Sequence, residues 1–247
     1  MKSIYDFTYE GYRNLIDLIK DKDYHIVDYQ NVDQHEKTLI MRHDVDFSLS
    51  KVLEMALLEN QLGVKSTYFL LLSSNFYNVF SYQSLELIKE IMHLNHQIGL
   101  HFDEQKYVDS DGLSLTNAII QEASLLSQVL GKVIKVFSMH RPSKETLEKN
   151  YQINGLINTY SIEFFQKIKY LSDSRRNWRE NIIDAITSNQ HPKIQLLTHP
   201  ISWTLEKQST SEVLNDFIKS KTYETYQEMK QNFRNLEEFI SEEDYEN

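Results

Sequence analysis

Thr38-Leu39-Ile40-Met41-Arg42-His43-Asp44-Val45-Asp46 is the stretch whose reading decides the fold. Its first four residues read as a buried strand that ends in a cluster of ionisable side chains, and a helix starts just after Phe47. Side chains alternate along an extended backbone, so Asp44 and Asp46 point the same way. Two carboxylates side by side at a strand's C-terminal end suit a general base next to a metal ligand. They also suit helix capping, because an Asp at a strand-to-helix junction satisfies the first free N–H groups. The rest of the chain has to separate these readings.

Outward from this stretch, strand and helix alternate. Residues 7–20 read as an amphipathic helix, with Thr8 as N-cap and Tyr12, Leu15, Leu18 and Ile19 on one face. The strand at 38–42 is followed by a helix at 48–62, closed by Gly63, and by a buried strand within 64–72. A helix at 84–94 leads into a strand at 97–101. Another at 115–130, with Gly131 after it, leads into a strand at 133–139. Further strands are expected at 156–160, 169–172 and 194–198, with a helix around 178–186. This rhythm predicts an α/β fold, a mainly parallel sheet or barrel, in a single domain spanning 1–247.

The end of the chain differs. About residues 208–247 form a long, polar C-terminal helical extension, with Leu214, Phe217, Tyr226, Met229, Phe233, Leu236 and Ile240 at threes and fours. Packing on the barrel is the favoured reading, and a homo-oligomer through paired helices is the alternative. The acidic residues 242–247 are expected to fray.

Composition narrows the chemistry. With no cysteine, only His, Asp and Glu remain as metal-binding side chains. A formal charge of −10 argues against a nucleic-acid-binding surface. No run approaches the roughly 18 consecutive apolar residues of a membrane span. Met1-Lys2-Ser3-Ile4-Tyr5-Asp6 lacks the pattern of a secretory signal, which makes the cytoplasm the expected compartment.

Ionisable residues recur wherever an expected strand ends: His43, Asp44 and Asp46; His101, Asp103 and Glu104; His140 and Arg141; His199. In parallel α/β folds the C-terminal strand ends share one face, where active sites form. Any one of these residues alone would read as a hydrogen-bonded structural group. Four strand ends supplying His, Asp or Arg to one face are hard to explain by packing.

The order of these motifs resembles the polysaccharide deacetylase superfamily, the NodB-homology group of carbohydrate esterases. The usual first motif, Thr-Phe-Asp-Asp-Gly, is replaced here by Arg42-His43-Asp44-Val45-Asp46. Gly63-Val64-Lys65-Ser66-Thr67-Tyr68-Phe69 is similar to the Gly-Val-Lys-Ala-Thr-Phe-Phe strand of that group. Ile98-Gly99-Leu100-His101 resembles its second motif, His140-Arg141-Pro142 its third, Asp173 to Trp178 loosely its fourth, and Leu197-Thr198-His199 its fifth. The likeness covers roughly residues 38–203 and is strongest to a branch associated with surface-polysaccharide gene clusters.

The resemblance implies a distorted (β/α) barrel of the NodB-homology type that removes acetyl groups from sugars with a divalent metal, most readily zinc. Asp44 would be the general base, Asp46 and His101 metal ligands, His199 the general acid, and Arg141 would orient the base through a salt bridge. One position departs from the pattern: the second metal-binding His, four residues after the first, is Gln105 here. His140 is the expected replacement, with Asp103 and then His43 behind it.

Asp173, Trp178 and Trp203 are candidates for a substrate wall, since aromatic faces stack on sugar rings; both tryptophans have a core reading as well. The expected substrate is an N- or O-acetylated sugar, a cytoplasmic glycan-biosynthesis intermediate such as a nucleotide-linked or lipid-linked sugar. The rival reading, motivated by Gln105, is an inactive, metal-free sugar-binding protein on the same fold.

Overall fold

Side-chain caps set where the helices begin. Thr8, Ser48, Ser81, Ser114, Ser143, Asn181 and Ser209 each accept a backbone N–H from the first turn of the helix that follows. These helices are α1 (Tyr9–Asp21), α2 (Leu49–Gln61), α3 (Tyr82–His93), α4 (Leu115–Leu130), α5 (Lys144–Glu148), α6 (Ile182–Thr187) and α7 (Thr210–Asn232). Ser48 thus takes the capping role at the head of α2, which frees Asp44 and Asp46 for other work. The computed structural model describes residues 3–107 and 114–245. No helix among them is long and apolar enough to cross a membrane.

Among the described residues, eight parallel strands form one sheet: β1 (His25–Val27), β2 (Thr38–Val45), β3 (Thr67–Leu71), β4 (Gln97–Asp103), β5 (Val136–His140), β6 (Ile157–Asn158), β7 (Lys169–Ser172) and β8 (Lys193–Thr198). Their order is β6-β5-β4-β3-β2-β8-β7, with β1 beside the first half of β2. The sheet curls. Gln195 on β8 donates through Nε2 to the carbonyls of Thr159 (3.3 Å) and Phe164 (2.9 Å), which follow β6 at the far end of that order. The result is a curled, parallel half-barrel, the α/β architecture of a distorted (β/α) barrel.

Alternation along β2 separates two packing environments. Leu39 and Met41 face α1 and join the large outer core with Leu15, Ile16 and Trp203. Ile40 faces the barrel interior, in a cluster with Tyr29, Phe69, Val136 and Phe164. Gly99 makes room for that plug, since a Cβ there would lie 2.5 Å from the Phe69 ring. Arg42 and Asp44 continue the interior row above Ile40, two residues apart each time. The apolar floor therefore passes directly into the charged mouth.

Several expected boundaries shift. β2 runs on through Val45 rather than stopping at 42, because both of its faces stay buried to that point. β6 is only two residues long, and β1 and α5 are too short to leave a periodic signal. The helix expected around 178–186 is confined to α6, capped by Asn181. α7 stops at Asn232 instead of continuing to the end. Phe233 packs edge-on against Phe239, and Lys230 pairs with Glu237 and Glu242, folding the following turns back on the helix. Its buried face is Val213, Phe217 and Tyr226, whereas Leu214, Met229 and Phe233 are exposed. Of the acidic end, Glu242 bonds Gln227 and Lys230 of α7, while Glu246 and Asn247 lie outside the described residues.

Candidate active site

Arg42 is fully buried in the interior row of β2 and grips the next residue on that face. Its Nε donates to Asp44 Oδ1 (2.9 Å) and its Nη2 to Asp44 Oδ2 (2.8 Å), a bidentate pair. Nη1 reaches Thr159 Oγ1 at 3.2 Å, and the guanidinium lies 4.7 Å from the Tyr160 ring centre. Burial alone would raise the pKa of Asp44. Arg42, with His101 and His199, outweighs burial and holds it below the usual carboxylate value.

Asp46 comes next, just past the end of β2, and it is the focus of the site. Its Oδ1 is buried and has no hydrogen-bond partner. That oxygen lies 3.3 Å from His101 Nε2 and 3.9 Å from His140 Nε2. The three ligand atoms of Asp46, His101 and His140 all fall within 4.8 Å of one another. Both imidazoles are fixed from behind: His101 Nδ1 bonds Ser138 Oγ at 2.6 Å, and His140 Nδ1 meets Asp103 Oδ2 at 3.2 Å. Burial and the neighbouring His101 keep the pKa of His140 below its ordinary value, leaving the neutral ring a ligand needs. Against burial, the surrounding histidines hold Asp46 ionised. A buried, unsatisfied carboxylate oxygen facing two Nε2 atoms whose Nδ1 atoms are tied elsewhere is a donor set that could hold a divalent metal ion.

His199 stands across the mouth, its Nε2 3.9 Å from Asp46 Oδ2. Its Nδ1 bonds Asp173 Oδ1 at 2.6 Å, and its backbone N–H donates to the same carboxylate at 3.1 Å. Burial opposes a charge on this ring. Asp173, helped by Asp44 and Asp46, nevertheless raises its pKa to about 9.

Asp44, Asp46, His101, His140 and His199 line one cavity of about 710 Å³, together with Ser73, Asn75, Phe76 and the aromatic wall of Tyr160, Phe165 and Tyr170. The wall is contiguous: Phe165 lies 5.0 Å from each tyrosine ring.

The structure brings together Asp44, Asp46, His101, His140 and His199, and it relocates the others. Arg141 does not reach Asp44. Its side chain is 72% exposed and its nearest acid is Asp103, 3.6 Å away. Arg42 already fills the space beside Asp44, and left-handed backbone at Arg141 (φ 48°) turns the chain at the end of β5. Trp203 is no substrate wall: it is fully buried against Tyr12 and Phe7, and its Nε1 donates to Asp173. Trp178 is buried too, stacked on Phe7 in the outer core. Asp173 is fully buried beneath His199 rather than open to substrate. His43 points to the opposite face of β2, bonding Glu59 at 2.9 Å, and Asp103 stands behind His140 rather than among the clustered ligand atoms. Gln105 is exposed on a short 3-10 turn.

Sequence reasoning missed Arg42 and the aromatic wall. The signal for Arg42 was available, since a residue two before Asp44 on a strand shares its face. Tyr160, Phe165 and Tyr170 lie in one stretch that runs from the end of β6 into β7, and its irregular turns carry no period to show that these rings face the cavity.

No protein-family model matches the chain, and no curated protein matches it. Solved structures do. One is a CE4 family pseudoenzyme from Bacillus anthracis, 16% identical, with 77% of this chain and 62% of that chain covered and a TM-score of 0.43. Another is the Streptococcus pyogenes deacetylase PplD in complex with acetate, 12% identical, with 86% and 84% covered and a TM-score of 0.42. A third is a family 4 carbohydrate esterase from Bacillus anthracis, 15% identical, with 84% and 86% covered and a TM-score of 0.42. The chain spans less than two thirds of the length of the pseudoenzyme structures it matches.

Proposed function

We propose that this protein is a metal-dependent hydrolase that removes the acetyl group from an N- or O-acetylated sugar. The observation that carries the reading is Asp46 Oδ1, buried without a partner and facing the Nε2 atoms of His101 and His140. Asp46, His101 and His140 would hold the ion, and one carboxylate oxygen with two imidazole nitrogens suits zinc. A divalent ion bound there lowers the pKa of its water and polarises an acyl oxygen.

The chain's own groups supply the rest. Asp44, kept anionic by Arg42, takes the proton of the attacking water; its Oδ2 already lies 3.6 Å from His101 Nε2, beside the ligand cluster. His199 is protonated at neutral pH, with a pKa of about 9. Asp173 engages Nδ1, which leaves the Nε2 proton free to pass to the departing nitrogen or oxygen. Tyr160, Phe165 and Tyr170 offer faces on which a sugar ring can stack, in place of the expected tryptophans.

The test is acetate release by the zinc-reconstituted protein from a panel of acetylated sugars, with bound metal counted in parallel. One equivalent of zinc, lost together with activity in Asp46→Ala, is the expected result. A metal-free protein that binds sugars but releases no acetate after zinc is supplied would overturn it.

A further inference from the structure

The cavity mouth carries more positive charge than acetyl hydrolysis calls for. Each carboxylate that lines it is already engaged or assigned: Asp44 by Arg42, Asp103 by His140, and Asp46 by the proposed ion. Its two lining arginines are not. Arg179 is exposed and has no hydrogen-bond or ion-pair partner among the described residues. Arg141 makes only the loose 3.6 Å contact with Asp103, an acid whose oxygens are already shared with His140 and the Gln105 N–H. On a chain of net charge −10, this places one unpaired and one loosely paired guanidinium group at the same cavity.

Their placement is specific. Arg141 follows β5 and Arg179 lies in the segment after β7, with β4, β3, β2 and β8 between them in the sheet order. Curling closes that separation, so both line the cavity that also holds the aromatic wall and His199. Arg141 is itself held in left-handed backbone at φ 48°, while Arg179 follows three residues after the left-handed pair Arg175 (61°) and Arg176 (55°). Non-glycine residues are held in this region at a cost, and such strain concentrates where a side chain must be aimed. A planar guanidinium presents paired N–H donors that match the oxygens of a phosphoryl group or a carboxylate.

We propose that Arg141 and Arg179 form an anion-recognition pair at the cavity mouth, so that the acetylated sugar bound there carries a negatively charged substituent, a phosphoryl group or a carboxylate. This rests on the acetyl-sugar reading for the identity of the ring, but the pair can be tested by binding alone. The zinc-loaded protein is titrated calorimetrically with N-acetylglucosamine, its 1-phosphate and its uronic acid, while acetate release is followed separately. At least one charged sugar should bind about tenfold or more tightly than the neutral one, the effect expected of charge-assisted hydrogen bonds. Which one does so distinguishes phosphoryl from carboxylate. The preference should weaken as salt is raised and vanish in the double variant Arg141→Gln/Arg179→Gln. Equal affinities for the three sugars, or a preference that survives in the double variant, would overturn the proposal. Absent acetate release with the binding preference intact would instead count against the hydrolase reading and leave the arginine pair standing.

Discussion

The two faces of β2 carry two ionic clusters built from similar side chains and put to opposite uses. On the interior face, Asp46 keeps a buried oxygen without a partner, beside His101 and His140. On the outer face, Glu59 of α2 is fully buried with every need met. Its Oε1 accepts from Tyr12 Oη (2.6 Å), His43 Nε2 (2.9 Å) and Ser66 Oγ (2.6 Å), and its Oε2 accepts from Tyr68 Oη (2.6 Å). His43 bonds Thr198 Oγ1 through its other nitrogen, which ties β2 to β8. The lesson is that burial of acid and imidazole does not mark a site. What sets Asp46 apart is an unsatisfied carboxylate oxygen that faces two imidazole nitrogens at once, a combination the satisfied Glu59 network lacks.

The sharpest way to break this comparison is to remove each carboxylate in turn. Glu59→Ala would strip four donors of their acceptor in a dry interior, a loss of about 3–5 kcal/mol that threatens folding itself. Denaturant unfolding measures it, and a loss under about 1 kcal/mol would show the network is not structural. Its pH dependence has a defined sign. Burial raises the pKa of Glu59, but His43, His96 and Ser66 bring it down from 4.5 to about 2. A value lowered in the folded state contributes its stability fully above pH 4.5, and that contribution drains away as pH falls towards 2. Wild type should therefore lose on the order of 3 kcal/mol more than Glu59→Gln across that window.

Asp46→Ala should behave in the reverse manner. Its unsatisfied oxygen carries a desolvation cost that offsets much of what the histidines contribute to holding its charge, so the metal-free variant should stay within about 1 kcal/mol of wild type in stability. Zinc should then no longer raise its melting temperature, whereas it should raise that of wild type. Activity should fall by at least about a hundredfold, since the ion's contribution to charge stabilisation goes with it. A marked destabilisation of the metal-free protein would place Asp46 with Glu59, among the structural acids.

The same comparison explains what was legible in the sequence. Strand-end position and alternation suffice to find Asp44, Asp46, His101, His140 and His199, because a parallel sheet sends its C-terminal ends to one face whatever its curvature. They do not reveal which side of the strand is barrel and which is helix layer, so His43 reads there as a ligand candidate. Nor do they show that Arg42 reaches Asp44 before Arg141 can. The tryptophans misled for a related reason: Trp203 follows the chemistry in sequence, yet the short turn at Pro200–Ser202 carries it back beneath Asp173 into the outer core. Elements without a period of their own, β1, β6 and α5, could be placed only by their neighbours.

Asp173 is where the two clusters nearly meet, since it carries His199 on one side and, on the other, the buried Trp203 that packs edge-on against Tyr12 of the Glu59 network. Asp173→Asn keeps the shape but removes the charge that raises the pKa of His199. With less proton held at Nε2, kcat should fall about a hundredfold, the span expected of one general acid. KM should stay within about twofold, because Asp173 is buried and out of reach of substrate. A change confined to KM would return Asp173 to the substrate wall.

The smallest effect belongs to the aromatic wall, and it separates pocket aromatics from core ones. Phe165 lines the cavity between Tyr160 and Tyr170, whereas Trp178 packs on Phe7 behind it. If the wall holds the sugar ring, Phe165→Ala should raise KM by about five- to tenfold and leave kcat nearly unchanged. That is the signature of binding lost equally in the ground and transition states. Trp178→Phe should instead cost about 1–3 kcal/mol of stability through lost packing and leave KM alone. Steady-state kinetics on both variants, with their unfolding curves, checks the pair. If the KM effect followed Trp178 rather than Phe165, the sugar would bind on the other side of β7, and the aromatic wall would be packing only.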